Sequence, residues 1–142
     1  MEDLEKAKKE LFEGGYTCVL RLGEERFISE ERGIRPLLGW LENGSVCSGF
    51  SAADKVVGRA AAFLYVLLGA KAVFADVMSE PAKEVLAASG IACSYNRLVP
   101  AIRNRTDTGF CPMESAVREI SEPEAALAAV RKKLKELSQK SE

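Results

Sequence analysis

VCSGFSAADKVVGRAAAFLYVLLGAKAVFADV, residues 46–77, decides the fold, because it alternates short strand-like runs with one long apolar run. Val46 to Phe50 reads as a strand of small residues. Ser51-Ala52-Ala53-Asp54 then supplies an N-cap for a helix over Val56 to Leu68, whose near-continuous hydrophobicity implies burial on most sides. Gly69 closes that helix, and Ala72-Val73-Phe74-Ala75-Asp76-Val77 follows as an apolar strand.

Working outward toward the C-terminus, Ser79 to Ser89 forms a helix with Pro81 in its first turn, and Ile91 to Tyr95 another strand. From Val46 the order is therefore β-α-β-α-β, which favours parallel pairing with right-handed crossovers. Toward the N-terminus, residues 2–13 place Leu4, Ala7, Leu11 and Phe12 at helical spacing before Gly14-Gly15. Tyr16 to Leu22 and Arg26 to Ile28, separated by Gly23-Glu24-Glu25, read as an antiparallel hairpin. Pro36 suits the first turn of a short helix through Leu37, Leu38, Trp40 and Leu41, ended by Asn43-Gly44.

Beyond Tyr95, Asn96 to Gly109 has no clean period and reads as a polar loop. Cys111-Pro112-Met113-Glu114 starts a helix through Ile120, and Ser121-Glu122-Pro123-Glu124 caps a last one from about Pro123 to Leu137. The expected whole is a single α/β domain over residues 1–142, with a core at about 3–135 and a frayed tail at 138–142. Its sheet has about five strands, the hairpin adding antiparallel strands to a parallel β-α-β-α-β half.

The chain contains no histidine. The commonest general base, the commonest zinc ligand and any Ser-His or Cys-His nucleophile pair are thereby removed. Cys18, Cys47, Cys93 and Cys111 are dispersed without a C-x-x-C pair, which disfavours a disulfide framework or a four-cysteine zinc site. Net charge −1 argues against a partner bound chiefly through nucleic-acid phosphates. Met1-Glu2-Asp3-Leu4-Glu5-Lys6 lacks the pattern of a signal peptide, and the apolar stretch Ala60 to Ala70 is too short to cross a bilayer. A cytoplasmic location, without membrane or nucleic-acid partners, is the expectation.

The order helix-hairpin-helix-β-α-β-α-β resembles the three-layer α/β/α cytidine-deaminase-like fold. Four ordered motifs narrow the resemblance: Ser29-Glu30-Glu31-Arg32-Gly33-Ile34-Arg35-Pro36-Leu37-Leu38, Ala53-Asp54-Lys55-Val56-Val57-Gly58-Arg59-Ala60-Ala61, Ser79-Glu80-Pro81-Ala82 and Cys111-Pro112-Met113-Glu114. Together they look like the domain of unknown function 1893 family, over about residues 3–135. That resemblance implies a deaminase-like fold without the zinc ligands. Zinc deaminases carry H-x-E at the start of one key helix and P-C-x-x-C at the start of the next. Here the first reads Ala53-Asp54-Lys55-Val56-Val57, and the second keeps Pro81 but has Ala82 and Val85 in place of both cysteines. Neither a metal site nor a cofactor is implied, and zinc-dependent deamination is excluded.

Asp54-Lys55, at what is expected to be a helix N-terminus, would favour an anion, with Arg59 one turn on adding charge. The plain alternative is an Asp cap followed by two solvated cations. Ser79 and Glu80 offer a second helix start in the same crevice, beyond the strand ends. Glu30, Glu31, Arg32 and Arg35 surround Gly33 in a rim loop, and Asn104 and Arg105, with Asp107 and Thr108, could close over a nucleotide or sugar phosphate. Solvated charged loops account for these equally well. Cys111 precedes Pro112 at a helix start, but with no histidine to activate it a buried thiol is the better reading.

The expectation is a binder of a small anionic ligand, nucleotide-like or ribose-phosphate-like, in the former deaminase pocket. A metal-independent enzyme is the second possibility, with Asp54 or Glu80 as base or nucleophile and Lys55 stabilising charge. A homo-oligomeric interaction module is the third, symmetric dimers being common.

Overall fold

The computed structural model describes residues 2–31, 33–44, 46, 48–102 and 111–140. Helix α1 (Asp3–Glu13) leads into the hairpin β1 (Cys18–Leu22) and β2 (Glu25–Ser29), then α2 (Arg35–Asn43). Next come β3 (Ser51–Val57), α3 (Arg59–Leu68), β4 (Ala72–Ser79), α4 (Glu80–Ala88) and β5 (Ala92–Val99). Helices α5 (Pro112–Val117) and α6 (Pro123–Lys140) complete the chain.

The five strands form one mixed sheet in the order β2-β1-β3-β4-β5. β1 pairs antiparallel with both β2 and β3, and β3-β4 and β4-β5 are parallel. Ala7 and Leu11 of α1 bury Val19, Ala53 and Phe74 in a small core of their own. The main core gathers α2, α3, α4, α5 and α6 with Leu20, Ala52, Val73 and Ala75 of the strands. α3 is its centre, packed against α2, α4, α5 and α6.

The stretch that decides the fold is placed differently from the sequence expectation. The strand lies at Ser51–Val57 and not at Val46 to Phe50, so Asp54 is a strand residue and not a helix cap. Pairing on both sides explains the shift: Asp54 stands opposite Cys18 of β1 and Ala75 of β4, so this segment forms two ladders where a cap would form none. Ala52 and Ala53 suit a strand with helices packed on both faces, and Val56-Val57 are β-branched. Gly58, in extended backbone, separates strand from helix.

Three smaller boundaries also move. β5 runs to Val99, taking in Asn96 and Arg97 from the expected loop; as an edge strand it tolerates polar residues that a central strand would not. α5 stops at Val117 and not Ile120, and the carbonyls of Val117 and Ile120 beyond its last helical bonds accept from the Arg59 guanidinium. α6 continues through Ser138 to Lys140, anchored by Leu137 against the main core, where a frayed tail was expected from 138.

Candidate functional site

The antiparallel register of β1 and β3 sets Cys18 beside Asp54. Tyr65, buried in the middle of α3, reaches both: its hydroxyl donates to Asp54 Oδ2 at 2.7 Å and lies 3.2 Å from Cys18 Sγ. Tyr65 is the one polar side chain in the apolar run 60–68. Asp54 is 7% exposed. Burial lifts its carboxyl to about 6 despite the hydrogen bonds from Tyr65 and nearby backbone that favour the anion. Burial, with Asp54 alongside, also pushes the Tyr65 phenol and the Cys18 thiol well above their ordinary values, so Cys18 is no nucleophile.

Asp54 faces a cavity of about 420 Å³ between the C-terminal end of β3, the start of α3 and α5. Its walls are largely apolar, with Ile34, Val56, Ala60, Ala61, Ile102 and Met113, and include the Cys18 and Cys111 thiols. Glu31, Lys55 and Glu114 are the other charged residues among those lining it. The Lys55 ammonium lies 4.4 Å from the centre of the Phe12 ring, a cation-π contact at the surface.

Glu114 closes the far side. Its carboxylate accepts the backbone N–H groups of Arg59 at 2.6 Å and Ala60 at 2.9 Å, capping α3 from a distant part of the chain. Arg59 reciprocates: Nε donates to the Val117 carbonyl at 3.2 Å and Nη2 to that of Ile120. A Cβ at Gly58 would collide with the Glu114 carboxylate, so glycine is what lets the carboxylate seat. Burial raises the Glu114 carboxyl, opposed by those two N–H groups and by the Arg59 charge. Glu114 also borders a second cavity of about 470 Å³, lined by Arg59, Pro81, Glu84, Pro100, Ala101, Ser115 and Arg118.

Of the residues singled out from sequence, Asp54 and Lys55 share the first cavity, and Arg59 lines the second. The expected anion site at an Asp54-Lys55 helix start is corrected: the helix begins at Arg59, and two of its leading N–H groups already hold Glu114. Ser79 is fully buried and caps α4, accepting from the Ala82 N–H at 3.1 Å. Glu80, in the first turn of α4, and Arg35, at the start of α2, are exposed and line neither cavity. Arg32, Asn104, Arg105, Asp107 and Thr108 lie outside the described residues.

Cys18, Tyr65 and Glu114 are the site residues that sequence reasoning passed over. Tyr65 carried a usable signal, since a lone hydroxyl in a buried helix must find a partner. Among the described residues, no three of Cys, Asp and Glu gather as a metal-ligand set, and no helix is long and apolar enough to cross a membrane.

No curated protein matches the chain. A crystal structure of a DUF1893 family protein from Thermotoga maritima is similar over 94% of this chain and 89% of its own, with 25% identity and a TM-score of 0.83. The family model for the domain of unknown function DUF1893 matches residues 6–134, nearly the whole length, and the chain belongs to that family.

Proposed function

We propose that this chain is a deaminase-like domain without the zinc centre, which binds a nucleoside-like or nucleotide-like ligand in the cavity faced by Asp54. The observation that carries this reading is a buried carboxyl, near 6, facing a 420 Å³ apolar cavity. A heterocycle fits the apolar walls, and Asp54 supplies the polar contact that orients it. The starts of the two helices that follow parallel strands read Gly58-Arg59-Ala60 and Glu80-Pro81-Ala82, a donor set that does not suit zinc. Arg59 is engaged by α5 and the Lys55 ammonium lies over Phe12 of α1, so a phosphate on the ligand stays in solvent outside the cavity.

Thermal unfolding in the presence of nucleosides and nucleoside monophosphates tests this. A ligand at 100 times its Kd stabilises the fold by about 2.7 kcal/mol, which is several degrees in Tm. The expected result is such a shift for at least one member, reduced in Asp54→Asn. A panel that leaves Tm unmoved at millimolar concentration refutes the reading.

The same carboxyl favours a second reading, in which Asp54 is a general base working near neutral pH. Turnover of a bound ligand that is lost in Asp54→Asn would establish it.

A further inference from the structure

Asp54 Oδ2 accepts from the Tyr65 hydroxyl at 2.7 Å, whereas its other contacts are weaker: the Val56 N–H reaches Oδ1 at 3.4 Å, long for a hydrogen bond, and the Lys55 N–H and the Cys18 thiol lie alongside. A carboxylate oxygen accommodates two donors, so a buried carboxylate with one short hydrogen bond and otherwise long ones has room for a further, well-aligned donor from its cavity side. The surrounding polar groups do not supply it. The Thr17 hydroxyl faces the Ser29 and Glu31 carbonyls at 3.0 and 2.6 Å, and the Glu114 carboxylate is itself an acceptor. The residues lining the cavity include three acidic ones, Glu31, Asp54 and Glu114, whereas the Lys55 ammonium lies over Phe12 of α1, on the other face of the sheet from Asp54.

Resting on the cavity reading above, we infer that the group recognised at Asp54 is a planar, neutral or cationic N–H donor edge, of the amidine or amino-heterocycle class. A carbonyl or carboxylate edge aimed at Oδ1 would set acceptor against acceptor, in surroundings with a surplus of negative charge. An anionic substituent on the ligand therefore stays outside the cavity, and only the ring and its donors enter. The flat apolar walls contributed by Val56, Ala60, Ala61 and Met113 take the ring faces.

The preference for a donor follows the ionisation of Asp54. The titratable groups in contact with Asp54 are Cys18 from β1 and Tyr65 from α3; Glu31 and Glu114 line the same cavity, the Lys55 ammonium lies over Phe12 on the other face of the sheet, and the β4 partner, Ala75, is uncharged. With a carboxyl near 6, the ionised fraction falls about tenfold between pH 8 and pH 5, and affinity for a permanently cationic donor falls with it.

Benzamidine and benzoate, alike in shape and opposite in hydrogen-bonding sense, test this when titrated into the isotope-labelled protein and followed by amide NMR. Benzamidine is expected to shift the amides of Val56, Ala60 and Ala61, to bind about tenfold more weakly at pH 5 than at pH 8, and to lose at least tenfold in Asp54→Asn. Benzoate is expected to leave those amides in place. Benzoate binding as tightly as benzamidine, or benzamidine binding that ignores pH in the wild-type chain, overturns the inference, and the pH comparison needs no variant to fold. If neither compound moves the cavity amides, the inference falls. Benzamidine behaving as expected while no nucleoside or nucleotide shifts Tm overturns the nucleoside reading alone and sustains the donor-edge inference.

Discussion

Asp54 ionises near its ordinary 3.8 in an open chain and near 6 in the fold. Between those values the folded state holds a proton that the unfolded state has released. Ionised Asp54 therefore penalises folding above pH 6, by at most about 3 kcal/mol, and the penalty vanishes below pH 4. Asp54→Asn keeps the shape and an acceptor for Tyr65 while removing the charge. We expect it to be more stable than wild type by about 1–3 kcal/mol in urea unfolding at pH 8, with the difference gone near pH 4. A variant less stable at pH 8 would mean that the hydrogen bonds to the carboxylate outweigh the burial of its charge. Asp54 was visible from sequence as a candidate, but its partners Cys18 and Tyr65 were not. Their meeting depends on the register of β1 against β3 and on the rotation of α3, neither of which is written in local spacing.

α3 takes its N-cap from Glu114 of α5, and its own residue Arg59 binds the carbonyls at the end of α5. Each helix thus satisfies the other's terminal backbone groups. Glu114→Ala removes the acceptor for two buried N–H groups and is expected to cost about 1–2 kcal/mol in denaturant unfolding. Gly58→Ala is expected to cost a similar amount by evicting the carboxylate, since the backbone there is extended and tolerates a side chain. The two variants combined should lose about as much as either one, and additive losses would show that Gly58 acts independently of Glu114. Element identities were largely legible: the helices, the hairpin and the alternation after residue 50 follow from periodicity and breakers. The start of α3 was displaced by three residues because Asp54 looks locally like a cap, whereas two strand ladders outcompete one cap bond.

Across the whole molecule, α1 buries its face of the sheet through Ala7 and Leu11 against Val19, Ala53 and Phe74. So small a cluster has little capacity to repack. Leu11→Ala is expected to cost about 2–5 kcal/mol in unfolding free energy and to accelerate amide exchange in β3. A loss under 1 kcal/mol would show that α1 is dispensable to the sheet. The sequence by itself determined an α/β chain, the order of its elements, the absence of histidine chemistry and the family to which it belongs, because periodicity, breakers and motifs are local properties. Only the tertiary structure decided that Asp54 is a buried strand residue at a cavity wall, that Cys18 and Tyr65 stand beside it, and that Glu114 already fills the start of α3. Those facts arise from strand register and from contacts between residues far apart in the chain, such as Arg59 and Glu114, 55 positions apart, where burial energy and backbone pairing override local preference.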